Sequence, residues 1–190
     1  MLLAISPSEK VQNFPLSTQP KYALQGNVHR RTEAAILEGT KDLISQSGIA
    51  NLSMIDIADH SQVSRATLYN HFRDKNAVLE ALLSAEVQRL VSLAEKATAP
   101  AHVLESLSRA ISTDSALASM RIHDGEIVTS ILTNTTHEHY LTIARIVFEA
   151  TKSEAGTGIA MRWLIGQAMQ PLTPEQSRQQ SLALVENTIF

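Results

Sequence analysis

The chain has 190 residues, 44% of them hydrophobic, with no cysteine and a formal net charge of −3. That much apolar content supports one two-part globular body or two small domains with shared helices, and the missing thiols exclude disulfide frameworks, thiolate metal sites and cysteine nucleophiles. Residues 1–75 carry eight Lys/Arg against seven Asp/Glu, and residues 76–190 eight against twelve, an imbalance too small to point to nucleic acid by itself.

The opening "MLLAIS" runs into "PSEK" and is too short for a signal-peptide core or a membrane span, so a cytoplasmic protein with no membrane partner is expected. Residues 1–28 hold three of the six prolines and no sustained period, which predicts a flexible N-terminal arm. With Lys10, Lys21, His29, Arg30 and Arg31 in or beside it, the arm is either a plain leader or a segment that touches DNA phosphates. From Arg31 to Ser47, Ala34, Ile36, Leu37, Thr40, Leu43 and Ile44 recur at helical spacing and Gly48 supplies a stop. Ser53 is an N-cap with Asp56 three residues on, opening a short second helix through Ile57 and Ala58. Ser64 caps a third, with Thr67 at its third position. Only "HSQV" separates the two, and Val63, Leu68 and Phe72 are apolar: the pattern is a helix-turn-helix.

Asp74 caps a fourth helix running to about Lys96, whose stripe Leu79, Leu82, Leu83, Val87, Leu90 and Ala94 makes it a connector. Further helices are predicted near 101–112, 114–121, 125–134, 137–153, 157–169 and 174–188, the last opened by Thr173, Pro174 and Gln176. No segment reads as a strand, so the fold class is all-α. Burying Val63, Leu68 and Phe72 turns Arg65, Ala66, Tyr69 and Asn70 outward on the third helix. Arg can fork onto guanine, Asn onto adenine, and Ala can meet a thymine methyl, while Thr67, Tyr69, His71 and Lys75 at the flanks suit phosphates.

The stretch 36–82 resembles the DNA-binding domain of the TetR family of bacterial transcription regulators. The resemblance rests on Ile57 and Ala58, Val63 and Ser64, then Thr67, Leu68, Tyr69, His71, Phe72 and Lys75. It implies base reading by Ser64, Arg65, Ala66 and Asn70, and phosphate contacts by Ser53, Thr67, Tyr69, His71 and Lys75. Glu33 stands where the family often has a basic residue, with Arg30 and Arg31 close enough to substitute. Gln62 and Ala66 each replace a frequent glycine. The implied organisation is a helix-turn-helix domain over 29–75 and a helical ligand-binding and dimerisation domain over 76–190. The implied function is a homodimeric repressor released from a palindromic operator in double-stranded DNA by a small-molecule effector, without a cofactor; the alternative is control by a protein partner.

Beyond the fourth helix no motif is carried over. Dimer candidates, each of which could equally be intramolecular core, are the helices at 137–153, 157–169 and 174–188, with Ile143, Ile146, Val147, Trp163, Leu164, Leu182 and Val185. Ligand-pocket candidates are His102, Met120, His123, Tyr140, Phe148, Met161 and Trp163, although Met and aromatics at helical spacing are more often plain core. His137, Glu138 and His139, with His123 and Asp124, raise metal binding, but on a helix residues two apart diverge by about 200° and the zinc-helix pattern needs four. No metal is expected from that spacing. No nucleophile elbow or Gly-rich phosphate loop is present either, so the sequence points away from an enzyme.

Overall fold

The computed structural model describes residues 21–186, with side chains from residue 26 onward. Within them the chain forms ten α-helices and no strand: α1 Lys21–Ser47, α2 Met54–His60, α3 Arg65–His71, α4 Lys75–Glu95, α5 Pro100–Ser112, α6 Ser115–His123, α7 Gly125–Thr133, α8 Glu138–Thr151, α9 Glu154–Met169 and α10 Pro174–Glu186.

The caps fall where the sequence places them. Ser53, Ser64 and Asp74 accept the backbone N–H of Asp56, Thr67 and Ala77, and Thr173 and Gln176 close a reciprocal box, each side chain accepting the other's N–H. Each such cap stabilises its helix by about 1 kcal/mol. The first helix departs from expectation. It starts at Lys21, ten residues before Arg31, so residues 21–28 of the expected flexible arm are helical; the remainder of that arm, residues 1–20 with Lys10, lies outside the described residues. No proline stands between Pro20 and Pro100, and Gly26 costs a helix only about 1 kcal/mol. Side chains reinforce these turns, Arg30 donating to Asn27 Oδ1 and Gly26 O, and Thr32 to Val28 O.

Two apolar cores result. Ile36 and Ile44 of α1, Ile57 and Ala58 of α2, Leu68 of α3 and Val78 of α4 build the first. Leu104 and Leu107 of α5, Val147 of α8, and Ala160, Met161 and Leu164 of α9 build the second. Helix α4 serves both, giving Val78 and Leu82 to one and Ala94 to the other. Val147 and Leu164, two of the expected dimer residues, are 0% and 3% exposed: they are intramolecular core. Ile143, Ile146, Trp163 and Val185 are half-buried on the same core, which leaves Leu182 as the exposed member of that set.

The cores are joined through α6, which packs along α1 and sends Ala116 and Met120 into the first core. Just past α6, buried Asp124 accepts the backbone N–H groups of Ile49 at 2.6 Å and Ala50 at 3.1 Å. Gly48 makes this possible. Its φ of +76° ends α1, and a Cβ there would collide with the Asp124 carboxylate and the His123 side chain. Alongside, Lys41 of α1 bridges Glu86 of α4 and Asp114, the N-cap of α6, at 2.7 Å each.

In the turn between α2 and α3, Gln62 has φ +55°, a left-handed conformation that costs a side chain about 1 kcal/mol. Gln62→Gly is therefore expected to raise stability by up to about 1 kcal/mol in urea unfolding, offset partly by glycine's larger unfolded-state entropy. Asp124→Ala orphans two backbone donors and is expected to lower stability by about 2 kcal/mol or more in the same measurement.

Candidate nucleic-acid interface

The surface around α3 follows from how that helix buries itself. Leu68 is fully buried and Phe72 is 7% exposed, while Val63 packs half-buried against the same core. The opposite face carries Arg65, Ala66, Tyr69 and Asn70, all exposed, with Ser64 exposed at the N-cap. The four residues expected to read bases thus share one open surface. An exposed fork of donors, an amide and a methyl on one short helix match the major-groove code.

The expected phosphate contacts are less uniform. Tyr69 is exposed, whereas Ser53, Thr67, His71 and Lys75 are half-buried. Ser53 Oγ accepts Asp56 N–H at 3.2 Å and donates to the Asp56 carboxylate at 2.5 Å, so its hydroxyl must exchange that acceptor for a phosphate. Thr67 Oγ1 sits 2.8 Å from Ser64 Oγ, and both caps turn toward the start of α3. Lys75 Nζ lies 3.5 Å from Ile49 O, a long bond that a phosphate can replace.

The N-terminal part of α1 brings further groups to this surface. His29, one turn before Glu33, stacks its ring on His71 at 4.0 Å and 15°, and Arg30 and Arg31 are exposed beside it. Arg73, just after α3, has a side chain 86% exposed and pairs with Asp74 at 3.0 Å; its signal was the basic residue in "FRDK". Burial, then the neighbouring His29, hold the His71 imidazole below its usual value, against a smaller opposing pull from Glu33.

The candidate pocket residues do not converge. His102 borders a shallow groove with Leu93, Lys96 and Arg109, Met120 joins the first core, and His123 is exposed at the end of α6. Tyr140, Met161 and Trp163 belong to the second core, Trp163 also donating to Gln180 Oε1 at 2.6 Å, and Phe148 is 39% exposed. The helical-spacing argument against His137 and His139 does not apply, because His137 is the extended N-cap of α8 with φ −68° and ψ 141°.

A short capped helix, a tight turn and a third helix with an exposed outer face, set on a long connector, define a helix-turn-helix domain of the kind that binds DNA. Residues 36–82 match the bacterial regulatory proteins of the tetR family. No curated protein matches it significantly in sequence. Among solved structures, the dihydroxyacetone kinase operon activator DhaS is similar with a TM-score of 0.61 at 15% identity, over 83% of this chain and 96% of that one. A TetR-family regulator from Streptomyces coelicolor gives 0.57 at 16%, over 91% and 95%. The regulator FadR from Bacillus subtilis, in complex with stearoyl-CoA, gives 0.50 at 12%, over 82% and 97%. At these identities the likeness establishes the fold.

Were a phosphate to sit beside His71 it would favour the imidazolium, so DNA binding would take up a proton and affinity would rise as pH falls from 8 toward the lowered pKa, by at most about tenfold per pH unit for one proton. In fluorescence anisotropy with labelled DNA, His71→Gln is expected to flatten that rise. Stability moves the other way: with its folded pKa depressed, the His71 contribution is present above the unfolded value near 6.5 and is lost as pH falls through the folded one.

Proposed function

We propose that this regulator is a homodimeric repressor that occupies a palindromic operator and is released by a small-molecule effector. One observation carries the DNA-reading part: Ser64, Arg65, Ala66 and Asn70 are all exposed on the face of α3 opposite buried Leu68. Ser64, Arg65, Ala66 and Asn70 read bases, while Ser53, Thr67, Tyr69, His71 and Lys75 hold phosphates, joined by Arg30, Arg31 and Arg73.

One recognition helix covers a few base pairs, and a two-fold pair spaced by about 34 Å reads both halves of a palindrome. Surface for such a pair exists on the C-terminal helices. Leu141 and Phe148 on α8, Ile159 and Met169 on α9 and Leu182 on α10 are exposed apolar side chains, and Leu141 and Phe148 lie two turns apart on one face of α8. Effector binding is supported by a groove of about 510 Å³ between α7 and the end of α9, lined by Gly125, Glu126, Thr129, Ser130, Thr133 and Met169. The same fold in FadR was solved with stearoyl-CoA. A second reading, control by a protein partner docked on α7, is favoured by the openness of that groove and by exposed Ile127 and Ile131 on the same helix.

Selection of random duplex DNA on the purified protein tests the reading, and an enriched palindrome together with a dimer mass in light scattering is the expected result. Enrichment of no sequence by a folded dimer overturns it. Within the selected site, Arg65→Ala is expected to relax preference at one base-pair position by about 1–3 kcal/mol. Lys75→Ala should weaken all sequences alike and lower the slope of log affinity against log salt by about one.

A further inference from the structure

Three potential ligands from two distant parts of the chain meet between α4 and the start of α8. His139 Nε2 lies 3.2 Å from Glu80 Oε1 and His137 Nε2 lies 3.9 Å from the same oxygen. The two rings are 4.6 Å apart, tilted by 51°, and the three ligand atoms all fall within 4.8 Å of one another. A tetrahedral cation with bonds of about 2.1 Å sets its ligand atoms about 3.4 Å apart. Small side-chain rotations are therefore enough to bring the three onto one ion.

Backbone conformation makes the convergence possible. As the extended N-cap, His137 folds back over the first turn of α8, and its ring comes beside that of His139 instead of across the helix. His137 Nδ1 accepts His139 N–H at 3.3 Å. Coordination through Nε2 moves the ring proton to Nδ1 and gives up that long bond in exchange for a metal bond. His139 Nε2 also lies 3.2 Å from Ser84 Oγ, which leaves Ser84 beside the fourth position. Two neutral imidazoles and a carboxylate suit borderline cations of the zinc class, whereas magnesium and calcium prefer oxygen ligands throughout. The other histidine-carboxylate cluster, His29, Glu33 and His71, is less suited: its imidazoles are stacked at 15°, so their in-plane lone pairs run side by side and do not converge.

We propose that Glu80, His137 and His139 bind one divalent cation of the zinc class and that this ion staples the start of α8 to α4. Glu80 is five residues into α4, about 8 Å along its axis from Lys75 and the reading head. An ion that binds one setting of α4 against α8 more tightly than another shifts the head's orientation by that difference in affinity. The site stands independently of the operator reading, while its coupling to DNA rests on it.

The test is equilibrium dialysis of chelator-treated full-length protein against Zn²⁺, with Co²⁺ absorption reporting a tetrahedral nitrogen and oxygen environment. One Zn²⁺ per chain is expected, weakened at least about tenfold in His137→Ala, His139→Ala and Glu80→Gln and unchanged in His29→Ala. Circular dichroism checks each variant's fold; Glu80 is exposed and Gln nearly isosteric, so Glu80→Gln decides the matter if a histidine variant unfolds. Absence of binding, or binding unaltered by Glu80→Gln and by the His137→Ala/His139→Ala double variant, overturns the site. Zn²⁺ is also expected to change operator affinity in the native protein but not in Glu80→Gln; an identical affinity with the ion bound overturns the coupling.

Discussion

The arrangement depends on one buried carboxylate. Asp124 is placed by the end of α6, 75 residues from the backbone it grips, and takes two adjacent N–H groups where the chain leaves α1. Those donors belong to a loop that must turn the chain from α1 into α2, and no helix ladder satisfies them. Because Asp124 satisfies them, the C-terminal body holds the base of the reading head directly. The Lys41, Glu86 and Asp114 cluster repeats the connection nearby at the junction of α1, α4 and α6. The head is thus fixed to the body at a second place besides α4, and any movement of α6 is felt at the first core.

Much of the N-terminal half was legible because its determinants are local. Ser53, Ser64, Asp74 and Thr173 announce helix starts through hydrogen bonds three residues long, and burial of Leu68 and Phe72 follows from period alone. The start of α1 was not legible: Gly26 and Asn27 are poor helix formers, and their cost is offset by side-chain bonds within the turn. The role of Asp124 was out of reach for a different reason, since nothing near residue 124 reveals that residues 49 and 50 lack acceptors. Helical spacing does not describe His137 and His139, because an N-cap lies outside the helix it opens. In the C-terminal body, Met161 and Trp163 look alike as core or pocket when only spacing is known, and the fold places both on the second core.

The reading surface also shows how caps and contacts compete for the same atoms. Ser53 and Ser64 already spend their oxygens on the first turns of α2 and α3. Such groups can still meet a phosphate, but only by sharing or exchanging a proton, whereas Arg65, Tyr69 and Asn70 stand free of that constraint in exposed positions. Stability and recognition are therefore more separable on the outer face of α3 than at its ends.

Helix α4 gives residues to both cores, and this has a consequence for how the molecule comes apart. A domain boundary at residue 75 would place the first core's own Val78 and Leu82 on the far side of the cut. Opening the reading head frays the helix that the rest of the molecule packs against, and loosening the body removes the wall of the head. A head excised just before α4 therefore lacks part of its own interior.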